Sequence, residues 1–516
     1  MRKISLALAI GALVSGCSYL KPLPDPDAAV VAKPTAHLGS SSAIAAHWRD
    51  IPMPGLVWTP PLISQYADTL QPGVVVYWVP DPSLPLASVR WVWEEGTLDL
   101  AGKQAVAADL LGSLMRRGGA GALTGAQVDD TLEFLAAQVG VSLGGVRSTA
   151  SVSGLSRDLP FLVDLLTMMV TRPRLDPARL EVLKAEALEQ VRHRFDTPAQ
   201  TQGLAWDRIA YGRGPWTELT DSATLARIRA EDLLEVLVGR FAPRKMWISV
   251  AGRFDKAALR AQLLRQLQTL ETAAGAASPK PQPIVAPRSQ APMGVYVYDI
   301  PATQVQVRLG TRFVRRDHPD YYPLMLASYV LGGGGFGSRL VDRVRSSEGL
   351  AYHVSSWAGS DYDREATLGV GLQTKTPSAG RAVYLVLDEI RRMSDSGFRE
   401  GELPKARQGL SASIPGLFDS PENTADLLLQ SASWGRRDDH FRLYQRALDT
   451  IPDSTVLRAF RQWFRPESLR IVISGPYDSL VKPFADGSPS LSQWGPVHRL
   501  QAKDLESRQA LPFEKD

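Results

Sequence analysis

The chain carries two series of apolar segments that follow one another in the same order. Each series opens with two strand-like runs, continues with a stretch of helical spacing, and closes with an apolar strand that ends in glycine. The segments are Val74–Val79, Ala87–Trp93, Ala105–Arg117 and Met246–Gly252 in the first half, and Val295–Asp299, Val305–Gly310, Tyr322–Leu331 and Leu469–Gly475 in the second. Strands that alternate with helices predict an α/β (α+β) class, and the repetition predicts two similar domains.

A proline-rich segment separates the two series. Residues 273–292 combine small residues with five prolines, a composition that disfavours both helices and central strands. We therefore expect an N-terminal domain over residues 50–272, a linker over 273–292 and a C-terminal domain over 293–516. The stretch 18–49 is rich in proline and alanine, which is typical of an extended spacer.

The first 17 residues have the pattern of a bacterial lipoprotein signal peptide. Basic Arg2-Lys3 precedes the apolar run Ile4–Val14, which is too short to span a bilayer, and Val14–Cys17 matches a lipobox. Cys17, the only cysteine, would become the lipidated first residue; the alternatives are a buried thiol or an ordinary secretory cleavage. Ser18 favours the outer membrane, so we expect a lipid-anchored, periplasm-facing protein of the cell envelope.

Composition and charge exclude other classes. The 516 residues are 44% hydrophobic and 22% charged, which is ordinary for a globular protein and excludes a wholly disordered chain. The formal net charge of +4 is small and dispersed, so we expect no nucleic-acid partner.

A run of four glycines in the second half stands between an apolar run and a short helix. The glycines are Gly332, Gly333, Gly334 and Gly335. Their backbone freedom predicts a turn, after which Arg339–Arg345 has helical spacing with Leu340 and Val344 on one face. Glu348-Gly349 ends this helix, and a strand begins at Leu350.

This arrangement places Arg345 near the end of a helix and Tyr352 near the start of a strand, where both side chains can point into one cleft. A guanidinium and a phenol hydroxyl are fixed hydrogen-bond donors that suit a carbonyl group or a developing oxyanion. The alternative interpretation is a glycine turn, a surface arginine and a core tyrosine.

Residues 331–357 resemble a signature of the pitrilysin/insulinase (inverzincin) family of zinc peptidases, which includes the mitochondrial processing peptidases. The glycine run, Ser338-Arg339-Leu340, Arg345 and Gly349-Leu350-Ala351-Tyr352 occur in the family order. The resemblance implies two homologous domains, each a mostly antiparallel sheet covered by helices, that form half of a clamshell. It also implies that Arg345 and Tyr352 hold the scissile carbonyl of a peptide opposite the zinc ion.

The first domain departs from the family pattern where the metal site belongs. In catalytic members one helix carries His-x-x-Glu-His, whose histidines bind zinc and whose glutamate activates water. The corresponding positions, together with that of a third ligand from a later helix, are Asp109, Gly112, Ser113 and Gln190. Glu186 and Glu189 lie near the third position, but either would restore only one group. We therefore expect no cofactor in this chain.

The resemblance and this departure together imply a non-catalytic subunit. We expect it to pair with a zinc-bearing homologue as a heterodimer and to supply Arg345 and Tyr352 to the partner's site for peptide hydrolysis. A peptide-binding or scaffold lipoprotein without proteolysis is the alternative. An autonomous metalloendopeptidase is a third possibility, for which the chain offers no suitable residues.

Overall fold

The computed structural model describes residues 58–275, 289–507, 511 and 513. The predicted signal peptide, Cys17 and the 18–49 spacer lie outside the described residues, as does most of the predicted linker. No helix within the described part of the chain is both long and apolar enough to cross a membrane.

Two six-stranded sheets and a two-stranded hairpin organise these residues. The strands are β1 Ala67–Gln71, β2 Val74–Pro80, β3 Leu86–Trp93, β4 Gly119–Ala120, β5 Leu123–Thr124, β6 Gln138–Leu143, β7 Ser148–Leu155, β8 Met246–Gly252, β9 Val295–Asp299, β10 Gln304–Arg312, β11 Ala351–Ala358, β12 Thr367–Lys375, β13 Arg470–Gly475 and β14 Val497–Leu500. The first sheet has the order β1-β2-β8-β3-β7-β6 and the second β11-β12-β10-β13-β9-β14; β4 and β5 form the hairpin.

The two large sheets share one topology over five strands. Read from β2 and from β9, the orders β2-β8-β3-β7-β6 and β9-β13-β10-β12-β11 correspond strand for strand. In both, the first of these pairs is parallel and the other three pairs are antiparallel. The predicted α/β class with two similar, mostly antiparallel units is therefore confirmed.

Helices cover both faces of each sheet. They are α1 Lys103–Arg117, α2 Gly125–Phe134, α3 Leu159–Thr171, α4 Pro177–His193, α5 Pro198–Tyr211, α6 Ser222–Ala226, α7 Ala230–Leu237, α8 Lys256–Ala274, α9 Tyr321–Ser328, α10 Ala379–Ser396, α11 Glu402–Ser413, α12 Pro421–Ser433, α13 His440–Thr450, α14 Asp453–Trp463, α15 Tyr477–Leu480 and α16 Ala502–Glu506. The π-helix Tyr329–Gly333 includes the first two glycines of the run, and a second π-helix, Val341–Ser347, follows the run. The main core of the first half lies between its sheet and α1, α3 and α8, which all contribute fully buried leucines.

Helix α8 extends two residues beyond the domain boundary expected at 272. Ala273 and Ala274 continue the helix because alanine is the strongest helix former, and Gly275 follows with φ +64°. The helix expected over Tyr322–Leu331 also differs, since α9 changes to a π-helix at Tyr329.

One helix of each half packs against the sheet of the other half. Trp206 of α5, in the first half, packs with Tyr296 and Val472 of the second sheet. Leu428 of α12, in the second half, packs with Trp247 of the first sheet. The two halves therefore share their cores within one compact unit that spans residues 59–516.

Candidate functional site

Helices α1 and α4 line a cleft at the position of the predicted metal motif. Asp109 and Ser113, one turn apart on α1, and Gln190 of α4 all line this α1 cleft, which has a volume of about 420 Å³. The structure therefore brings together three of the four degenerate positions.

At the fourth position, Gly112, the backbone of a neighbouring strand occupies the space that a side chain would need. Gly112 is buried, and a Cβ atom at this position would lie 2.8 Å from the carbonyl oxygen of Val141 in β6. Carbon and oxygen atoms normally approach no closer than about 3.3 Å. A glutamate side chain cannot be accommodated here unless β6 moves.

Asp109 is the only carboxylate among the four degenerate positions. The Thr220 hydroxyl donates a hydrogen bond of 3.1 Å to Asp109 Oδ2. Burial of the carboxyl in the cleft raises the pKa of Asp109, and the hydrogen bond from Thr220 offsets part of this rise. Asp109 as a whole remains exposed, so the cleft weakens the ionisation of its carboxyl without fixing it in the protonated form.

Glu186 does not complete a metal site. It lines the α1 cleft, but both of its oxygens accept hydrogen bonds from Arg117, at 2.6 and 2.9 Å. Glu189 pairs instead with Arg192 on the same helix. Across residues 58–275 and 289–507, no group of three or more His, Cys, Asp or Glu side chains is arranged to hold a metal ion. The donor set does not fit zinc.

The glycine run has two structural roles in place of one free turn. Gly332 and Gly333 end the π-helix Tyr329–Gly333, and the turn is confined to the residues that follow. A Cβ atom on Gly332 would lie 2.7 Å from the backbone nitrogen of Ser356 in β11, so only glycine permits this contact. Gly335 has φ +67°, which favours glycine, and its Cβ would meet no atom.

A buried ion pair fixes the segment that follows the glycines. Arg339 is 6% exposed and donates hydrogen bonds of 2.8 and 2.6 Å to the two oxygens of Glu402 on α11. It also contacts Glu389 of α10 at 3.4 Å. Burial alone would raise the pKa of Glu402, but the hydrogen bonds from Arg339 and from the Arg399 backbone lower it below the ordinary value.

Arg345 and Tyr352 are brought into contact, as their spacing suggested. The Arg345 guanidinium lies 4.9 Å from the centre of the Tyr352 ring and also 4.9 Å from the centre of the Phe336 ring. Phe336 and Tyr352 are 81% and 85% exposed, so these aromatic faces are open to a ligand. Among the described residues no carboxylate forms an ion pair with Arg345. We call these three residues the Arg345 cluster.

Phe336 was missed by sequence reasoning. The available signal was a large apolar residue within a run of glycines, where no core position is expected. None of the residues that line the α1 cleft comes from the second half, and the Arg345 cluster lies wholly in that half. The α1 cleft and the Arg345 cluster are therefore separate features of the described structure.

Residues 227–410 match the family model described as the peptidase M16 inactive domain. A protein of Mycobacterium leprae named as an uncharacterized zinc protease is 24% identical over 330 residues, which are 63% of this chain and 72% of that protein. Over residues 227–410, the chain carries the inactive domain of the M16 (pitrilysin-like) peptidase family.

Other M16 comparisons agree with this assignment. A non-peptidase homolog of Helicobacter pylori, YmxG, is 35% identical over 114 residues, but the match covers only 22% of this chain and 26% of that protein. The fold is that of a solved M16 inactive domain from Pseudomonas fluorescens, with a TM-score of 0.70 at 20% identity over 80% of this chain and 97% of that one. The periplasmic protease PqqL of Escherichia coli gives a TM-score of 0.64 at 16% identity, over 78% of this chain and 44% of that one.

Proposed function

We propose that this chain is a non-catalytic, substrate-binding subunit of a periplasmic zinc metallopeptidase complex. The observation that carries the proposal is the contrast between two sites in one M16 chain. The Arg345 cluster is assembled and exposed, whereas the α1 cleft lacks both the donors and the space for a zinc site and its base. A zinc-bearing homologue would supply the metal and the base.

The Arg345 cluster has the chemistry to bind and polarise a peptide group. The Tyr352 hydroxyl would donate to the carbonyl oxygen of the scissile bond as negative charge develops there. Arg345 would orient the peptide through its guanidinium, which the rings of Phe336 and Tyr352 hold in place. Neither residue needs to act as a nucleophile.

The lipobox supports a location at the periplasmic side of the outer membrane. Lipidation of Cys17 would tether the chain, and the spacer 18–49 would separate the folded unit from the membrane surface. The partner would then act on peptides in the periplasm.

Metal analysis and co-purification test the proposal first. The purified chain should contain no stoichiometric zinc by elemental analysis and should cleave no peptide alone. Mass spectrometry of complexes isolated from membrane extracts should identify an M16 homologue with an intact His-x-x-Glu-His motif. One zinc per chain in this protein would overturn the proposal, and so would the absence of any such homologue in the isolated complexes.

A substitution in the reconstituted pair then tests the shared site. Tyr352→Phe should lower kcat about 100-fold, since one oxyanion donor is lost. Tyr384→Phe is a matched control, because this half-buried tyrosine on α10 lies beside Arg381 at 5.8 Å in a similar stack. Unchanged turnover with Tyr352→Phe would favour a scaffold or peptide-binding role without proteolysis.

A further inference from the structure

Two further arginines, Arg316 and Arg436, lie on aromatic rings that belong to neither the α1 cleft nor the Arg345 cluster. The Arg436 guanidinium is 4.6 Å from the centres of both the Tyr362 and Trp434 rings, which stack 5.1 Å apart. The Arg316 guanidinium lies 5.9 Å from the Tyr362 ring and 4.9 Å from that of Tyr321. Two cations are thus gathered around one tyrosine.

His440, the first residue of α13, belongs to the same group. It is 8% exposed, and its Nε2 atom has no hydrogen-bond partner among the described residues. Burial, followed by the positive charges of Arg436 and Arg316, lowers the pKa of His440 to about 3. The imidazole is therefore neutral at physiological pH.

The positive charge of this group is not balanced by carboxylates. Neither Arg316 nor Arg436 forms an ion pair with any residue in the described part of the chain, and the Nε atoms of both are buried without a hydrogen-bond partner. Within the described residues, the Arg436 guanidinium hydrogen-bonds only to the neutral Ser431 hydroxyl, at 3.0 Å, and to the Tyr362 side chain. Burial lowers the pKa of Arg436, and the positive charge of Arg316 lowers it further.

Carboxylates close in sequence to members of this group are paired with other arginines. Asp439 pairs with Arg437 at 3.0 Å, Asp361 with Arg364 at 3.1 Å, and Asp363 with Arg147 at 2.8 Å. Contacts with aromatic rings stabilise a cation, but they leave its charge and its hydrogen-bond donors unsatisfied.

We propose that Arg316, Arg436 and His440 form a binding site for an oxyanion, the carboxylate or phosphate group of a small ligand or peptide. The guanidinium groups supply charge and paired donors, and the Nε2–H tautomer of the imidazole supplies a third. Trp434 also lines a groove of about 560 Å³ between the two halves, with Arg90, Leu417 and Gln430. We place the body of the ligand in this groove, which adjoins the Arg436 guanidinium through the Trp434 ring.

Nuclear magnetic resonance on the full-length protein with labelled histidines tests the site. We expect inorganic phosphate to shift the His440 resonances saturably and to raise the His440 pKa from about 3. A second arm compares an acetylated dipeptide with its C-terminal amide. A response to phosphate alone identifies a phosphate site, and a response to the free carboxylate identifies a carboxylate site.

Arginine substitutions give the decisive comparison. Arg316→Gln and Arg436→Gln should each weaken binding about 10- to 100-fold, since each removes a charge-assisted contact. Arg437→Gln is the matched control, because Arg437 is exposed and already paired with Asp439; it should change binding little. Arg436→Lys keeps the charge if Arg436→Gln fails to fold.

Two results would overturn the proposal. One is that neither phosphate nor the free carboxylate affects His440 at millimolar concentration. The other is that both bind equally well to the wild type and to Arg316→Gln, while thermal stability falls. Either result would mean that the arginines serve only to pack against the aromatic rings.

Discussion

Replacement of Gly112 by alanine tests whether β6 has closed onto the helix that carries the degenerate metal motif. Alanine in a helix interior is normally about 1 kcal/mol more favourable than glycine. Here the added Cβ would lie 2.8 Å from the Val141 carbonyl oxygen and 3.3 Å from Ser142 Cα, both on the β6 backbone. Overpacking of this kind costs about 1 to 3 kcal/mol. We therefore expect Gly112→Ala to lower the free energy of unfolding by about 1 kcal/mol, the middle of the net range.

Gly203 provides a matched control in the same protein. It lies inside helix α5, and a Cβ atom at this position would meet nothing within 4 Å. Gly203→Ala should therefore raise the free energy of unfolding by up to about 1 kcal/mol. Urea denaturation of both variants should show opposite shifts of the midpoint with similar slopes. If Gly112→Ala raises the free energy of unfolding as much as Gly203→Ala does, β6 moves to admit the added methyl group and the proposed closure of β6 on α1 is wrong.

Two further predictions concern ionised groups. Glu402→Gln should lower the free energy of unfolding by about 2 kcal/mol at neutral pH, because Arg339 loses a buried charged partner. The folded-state pKa of Glu402 lies below 4.5, so the loss in free energy of unfolding should shrink as pH falls through that pKa. Glu400→Gln is the control, because Glu400 is exposed, and it should show no such loss. Asp109→Asn should raise the thermal midpoint at pH 7 by a small amount, because the cleft partly desolvates the charged carboxylate of this otherwise exposed residue. The gain should vanish below about pH 3.8, the ordinary pKa of an aspartate. A lower midpoint at pH 7, or a gain that persists in acid, would contradict this assignment.

The fold class and the positions of several strands could be predicted because the apolar runs are continuous. The bounds of β8 and β9 agree with the predicted runs Met246–Gly252 and Val295–Asp299, since each is an apolar strand that occupies an inner position of a large sheet. The buried face of Leu340 and Val344 was likewise visible in their four-residue spacing. Local periodicity determined these features.

Other features depend on contacts between distant parts of the chain. The π-helix at Tyr329 and the close approach of Gly332 to β11 require the position of a strand more than twenty residues away. The stacking of Phe336 on Arg345 follows from the turn at Gly335, which sequence alone left undefined. The closure of β6 on Gly112 is also tertiary, since the two segments are separated by helix α2.

The exchange of helices between the halves has a consequence for how such a duplicated chain can evolve. Helix α12 of the second half covers one face of the first sheet, and helix α5 of the first half covers one face of the second sheet. Asp426 of α12, for example, accepts a hydrogen bond of 2.9 Å from Ser249 of β8. Neither copy can be lost or transferred alone without exposing an apolar sheet. Even after one copy gives up its metal chemistry, selection on the other therefore preserves its scaffold.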